Sequence, residues 1–128
     1  MKFRDLETLL DLILDISEFD YCGLYETYWL MPDGNIVNLD LENEKKYPLE
    51  DVINLNVALC SRDYCKLLLI KPNKTQEVED FFQLSRVENF VPFSMSKESG
   101  YVLSSTDKGI KFRHRLRKRM NRISAHQQ

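Results

Sequence analysis

Apolar residues recur at steps of three and four near the start of the chain: Leu6, Leu9, Leu10, Ile13, Leu14 and Ile16. Glu7, Asp11 and Asp15 fall on the other side of the same wheel. This spacing predicts a helix over 5–17 that turns its apolar side to a core and its acidic side to solvent, with Asp5 as its N-cap. A second pattern follows. Tyr28-Trp29-Leu30-Met31 and Asn35-Ile36-Val37-Asn38-Leu39 flank Pro32-Asp33-Gly34. Pro presets the first central angle of a turn and Gly tolerates positive φ, so Tyr25–Leu41 reads as a β-hairpin.

Further along, Pro48 can open a helix running to about Cys60. The apolar run Cys65–Ile70, ended by Lys71-Pro72-Asn73, reads as a buried strand. Thr75 is expected to cap a helix that points Val78, Phe81, Phe82 and Leu84 inward. Residues 90–100 look irregular. Tyr101-Val102-Leu103 suits a short strand, and Ser104, Ser105 or Thr106 then caps a last helix with Asp107 at its positive end. In that helix Phe112, Leu116, Met120 and Ile123 form one narrow apolar stripe. Helices and strands alternate irregularly, without repeats or a domain boundary. The expectation is one small α+β domain with an N-terminal helix, a β-hairpin and a basic amphipathic C-terminal helix. Residues 1–107 form its body, 108–123 that last helix, and 124–128 a flexible tail.

Charge changes this picture most. Eight cations, Lys108, Lys111, Arg113, Arg115, Arg117, Lys118, Arg119 and Arg122, lie in 108–128 without one Asp or Glu, a local charge of +8. Residues 1–107 carry a balance of −10, so the formal net charge of −2 conceals a two-ended molecule. A cationic helix repels itself at neighbouring turns and needs an apolar seat or an anionic counter-surface. Three outcomes compete. The stripe docks on the core while the charges face the acidic body or water. Alternatively the Arg and Lys neutralise phosphates of DNA or RNA, five of them being arginines able to make bidentate contacts. In the third, the helix engages an acidic protein or a second copy of the chain. A membrane is not an expected partner, because a one-residue-wide stripe without Trp buries little area and no run reaches the roughly 20 apolar residues of a span.

The chain has 128 residues, 43% hydrophobic and 30% charged, enough for one folded core. Its three cysteines, Cys22, Cys60 and Cys65, make no even disulfide framework, and the first residues do not read as a targeting peptide. Both point to free thiols and a cytoplasmic setting. Asp40, Glu42 and Glu44 alternate and would share one face of a strand, but the rest of a phosphoryl-transfer site is missing. A zinc site would need Cys22, Cys60, Cys65 and His114 to converge, and a Cys–His pair would need an activated thiolate. Buried structural cysteines are the simpler reading. Tyr28 and Trp29 serve either as core or as an exposed platform for a base or a partner. No metal, cofactor or reaction is therefore expected, and a non-enzymatic binding or regulatory protein is the reading that remains. Its alternative is an assembly module, such as a viral accessory component, built on the Phe112–Ile123 stripe.

Two resemblances bear on this. Tyr101-Val102-Leu103 followed by Thr106-Asp107-Lys108-Gly109-Ile110-Lys111-Phe112 resembles the wing strand and last helix of small winged-helix DNA-binding proteins, and the Leu6–Ile16 helix is similar to their first helix. That resemblance implies DNA binding and transcriptional control, with the last helix mediating dimerisation. Ser104 and Ser105 are extra to the pattern, and the acidic centre, with Glu42, Glu44, Glu50 and Asp51, lacks the residues of a recognition helix. The order of elements around Tyr28–Gly34 also looks like small phage or bacterial proteins, a likeness that names no activity.

Overall fold

Four helices and four strands account for most of the described chain. The computed structural model describes residues 3–29, 48–90 and 100–126, with side chains for 3–28, 48–90 and 100–122. The elements run α1 (Phe3–Phe19), β1 (Cys22–Gly23), α2 (Leu24–Trp29), α3 (Leu49–Ser61), β2 (Cys65–Lys71), β3 (Lys74–Glu77), two 3-10 turns (Phe81–Ser85 and Val87–Phe90), β4 (Gly100–Ser105) and α4 (Asp107–His126). The strands make one antiparallel sheet in the order β1-β4-β2-β3. This is a small α+β domain.

Register shows how the core assembles. Leu67 of β2 pairs with Leu103 of β4, and Leu103 also pairs with Cys22 of β1, so the three side chains share one face of the sheet. That face meets Leu9, Ile13 and Leu14 of α1 and Val52, Leu55 and Leu59 of α3 in a single buried cluster. At the edge of the cluster the hydroxyls of Ser17 on α1 and Ser105 on β4 meet at 2.6 Å, so the helix–sheet contact stays hydrogen-bonded where it turns polar. All three cysteines are buried and free. Burial raises the Cys60 thiol to about 12 and the Cys65 thiol to about 11. Such thiols are neutral packing groups rather than nucleophiles.

Two sequence expectations are corrected. Tyr25–Trp29 is helical, not the first strand of a hairpin; 30–47, with the Pro32-Asp33-Gly34 turn and Asp40, Glu42 and Glu44, lies outside the described residues. The cause is local: the Gly23 amide donates to Glu26 Oε1 at 3.1 Å. Glu26 is thus the third helical residue reaching back to the N-cap, half of a capping box. Likewise Thr75 begins no helix. Lys71 pairs with Lys74 across Pro72-Asn73, and Thr75-Gln76-Glu77 continues as strand β3 against Ile70, Leu69 and Leu68. Short helical structure starts only at Phe81, where Asp80 Oδ1 accepts from the Phe82 amide. Leu84 points inward as expected, whereas Phe82 is exposed.

Candidate anion-binding ridge

The last helix begins where the sequence places it and is clamped there. Thr106 is the N-cap: its Oγ1 accepts from the Gly109 amide at 3.0 Å, while its own amide donates to the Tyr64 carbonyl at 3.1 Å. The Thr106 hydroxyl donates in turn to the Asp63 carbonyl, and Asp63 adopts φ 60° to present it. Gly109 lies against the same turn, and a Cβ there would stand 2.0 Å from the Tyr64 carbonyl oxygen. No other residue lets the helix approach so closely. Phe112 then stacks on Tyr64 with ring centroids 4.5 Å apart, and Leu116 is buried at 4% exposure. The helix continues through Ser124 to His126, where a tail was expected.

The apolar stripe is thus seated on its own domain. Phe112 packs against the core, Leu116 is enclosed and Met120 is half-buried. The side chain of Ile123 lies outside the described set. An assembly interface built on these residues would have to displace the intramolecular packing first.

The eight cations divide into two groups. α1 and α4 run antiparallel, and the acidic side of α1 faces α4 rather than solvent. Arg113 is nearly enclosed, its guanidinium reaching Asp11 at 3.0 Å, Asp15 at 3.2 Å and Glu18 at 3.4 Å. Arg117 Nε stands 3.9 Å from Asp11, and Arg119 bonds the buried Glu7 while lying over the Phe3 ring. Three of the five arginines expected to meet nucleic acid therefore meet carboxylates of α1. Arg113 is corrected outright: its side chain is 9% exposed and has no face left for phosphate.

Lys108, Lys111, Arg115, Lys118 and Arg122 make up the second group. All five are exposed, and none has a carboxylate partner among the described residues. Lys108 lies over the Tyr64 ring, 5.3 Å from its centroid, which leaves its charge unneutralised. At 3.6 residues per turn the five fall within about 80° of the helix circumference and span about 21 Å along its axis. They form a straight ridge on one flank of α4, the flank that also carries Phe112 and Arg119. His114 is also exposed, about 40° round the helix from Lys118 at the edge of the ridge.

Beside the ridge lies a trough. Leu6 and Leu10 of α1 and Leu55, Ala58 and Leu59 of α3 floor a hollow of about 170 Å³ whose far wall is Tyr64 and Phe112 and whose rim is Arg62. A second hollow of about 320 Å³ shares Leu6, Leu55 and Ala58 and extends past Asn54 to Asp51. Sequence reading assigned neither Arg62 nor this trough. The signal was the mixed apolar pattern of α3, which does not separate cleanly by face because two of its sides are apolar.

The remaining candidates stay apart. No group of three or more His, Cys, Asp or Glu among the described residues is placed to hold a metal, and the exposed His114 does not join the buried cysteines. Tyr28 packs against the core. No helix of the described residues is long and apolar enough to cross a membrane. No family model matches this chain, and neither the curated proteins nor the solved structures contain a detectable match to it.

Proposed function

We propose that this protein binds a polyanion, the phosphate backbone of DNA or RNA, through the ridge Lys108–Lys111–Arg115–Lys118–Arg122. One observation carries the reading: five cations share one flank of a clamped helix and find no carboxylate among the described residues, although the same helix surrenders three arginines to α1. The fold neutralises positive charge where it needs a seat and gives this row no carboxylate among the described residues. The acidic body would repel nucleic acid elsewhere, so contact is confined to the ridge and the footprint is small. The protein acts as a binding or regulatory factor rather than a catalyst.

A salt titration tests this. Binding of a fluorescent oligonucleotide should weaken linearly in log–log form. Five neutralised phosphates give a slope no steeper than about −4.5 on duplex and about −3.5 on single strands. Reversing Lys111, Arg115, Lys118 and Arg122 to Glu should abolish binding while leaving the α1 contacts and the melting transition in place. Binding that ignores salt, or that survives the four reversals, overturns the proposal.

A further inference from the structure

The trough between α1 and α3 is a different kind of surface from the ridge it adjoins. Its floor is aliphatic, it is open along its length, and from Asp51 to Arg62 it extends roughly 16 Å, about three turns of a helix. α1 and α3 line an unfilled seam of the kind that a third helix can enter by ridge-and-groove fit. The seam is also electrically lopsided. At its α4 end the rim is Arg62, exposed and without a carboxylate among the described residues. Beside it Lys108 sits over Tyr64, and Arg115 borders the next hollow along α4 with Phe112, Leu116 and Arg119.

We propose that this trough is the docking site for an amphipathic helix of a partner protein, with leucine-like side chains on one face and acidic residues along the edge that meets Arg62 and Lys108. Charge complementarity selects this occupant. A basic-edged helix would bring like charges against Arg62, Lys108 and Arg115 on the way in, whereas an acidic edge meets opposite charge there. The apolar contact supplies affinity, and the rim sets which helices enter and in which direction. A base from a nucleic acid fits less well, since one face of the Tyr64 ring is stacked on Phe112 and Lys108 lies over the ring. This site adjoins the ridge and shares Lys108 with it, but its aliphatic floor and Arg62 belong to it alone.

The probe is a fluorescent amphipathic peptide of about four helical turns with Leu on one face and Glu along its edges. Its counterparts carry Lys in place of Glu, or Ser in place of Leu. On the intact protein, anisotropy should show the Glu-edged peptide binding about tenfold or more tighter than the Lys-edged one, and the Ser-faced peptide not binding. Ala58→Glu should abolish capture. Arg62→Glu, at an exposed position that folding tolerates, should reverse the preference between the two edges. Oligonucleotide binding to Ala58→Glu should be unchanged, so failure here and failure of the ridge reading are told apart. Equal binding of the two peptides, or unaltered binding by both variants, overturns the proposal. So does an oligonucleotide that competes with the peptide and is itself lost in Ala58→Glu, which would assign the trough to nucleic acid. A concentration-dependent dimer that Ala58→Glu dissolves and the peptide does not would assign it to a second copy of the chain.

Discussion

Arg113 and Arg115 stand two residues apart on one helix and have opposite fates. Arg113 turns toward α1 and is held by three carboxylates; Arg115 turns outward and meets none among the described residues. Nothing in the side-chain chemistry separates them. A rotation of about 200° around a helix does. Net charge per segment therefore overstates what the segment offers a ligand, because a helix has sides and one side is committed to folding. Of the +8 read from the sequence, +5 is presented to solvent as a ridge and the rest serves to join the first and last helices.

The sharpest way to break this contrast is to truncate each arginine in turn. Arg113→Ala leaves the mostly buried Asp11 and Glu18 and the half-exposed Asp15 facing one another, and should cost about 2 kcal/mol in urea denaturation, since solvent at Asp15 and Arg117 beside Asp11 offset part of the uncompensated charge. Arg115→Ala should change stability by less than about 0.5 kcal/mol. Arg119→Ala belongs between them, at about 1 kcal/mol, because its own side chain is half-exposed although Glu7 is buried. Equal costs for Arg113 and Arg115 would abolish the distinction between the two flanks.

A second test moves the whole helix instead of one charge. Gly109→Ala places a methyl group against the Tyr64 carbonyl, so α4 must lift from the turn at Arg62–Tyr64. The expected loss is about 2 kcal/mol, with the Phe112–Tyr64 stack disturbed in near-ultraviolet circular dichroism. A neutral Gly109→Ala would mean that the clamp does not set the position of either flank.

The smallest effect isolates the core from the charges. Cys65 and Cys60 hold their protons up to about 11 and about 12, against an ordinary value of 9.0. A pKa raised by folding means the folded state binds the proton more tightly. The stabilisation is therefore complete below about pH 9 and is lost as pH climbs through the folded values. Guanidinium groups stay charged across this interval, so the ion pairs with α1 persist. The melting temperature should fall by a few degrees between about pH 8.5 and pH 10.5, and Cys60→Ala should lose less over the same interval. An equal fall in both proteins would place the alkaline sensitivity outside Cys60.

Much of the architecture was legible because long periodic segments dominate it. The Leu6–Ile16 repeat and the Phe112–Ile123 stripe gave α1 and α4, and the cap of the last helix was narrowed to Ser104, Ser105 or Thr106, of which the structure uses Thr106. Two short elements were misread where a strong local cue competed with a weaker one. The turn-forming Pro32-Asp33-Gly34 drew Tyr28 and Trp29 into a hairpin, while Glu26, three residues after Gly23, was already set to cap a helix. Thr75 resembled a helix cap, yet the two-residue turn at Pro72-Asn73 let Gln76 and Glu77 pair with β2. The site was half legible. Composition located the cations, but only the helix–helix contact could sort Arg113, Arg117 and Arg119 from the ridge. The sequence did hold a hint of that contact: Glu7, Asp11, Asp15 and Glu18 line one side of α1, the shape of a counter-surface rather than a solvated face.

The bonds that join Arg113 and Arg119 to α1 close loops of roughly a hundred residues, since Arg113 lies 102 positions after Asp11 and Arg119 lies 112 after Glu7. On the ribosome the first helix is made long before its counter-ions exist. Its carboxylates remain hydrated and mutually repelling until α4 emerges, which keeps a leucine-rich segment soluble while it waits for the sheet. Docking of α4 then waits on a contact of high sequence separation, and the row of outward cations is set in place only as α1 finds its charge partner.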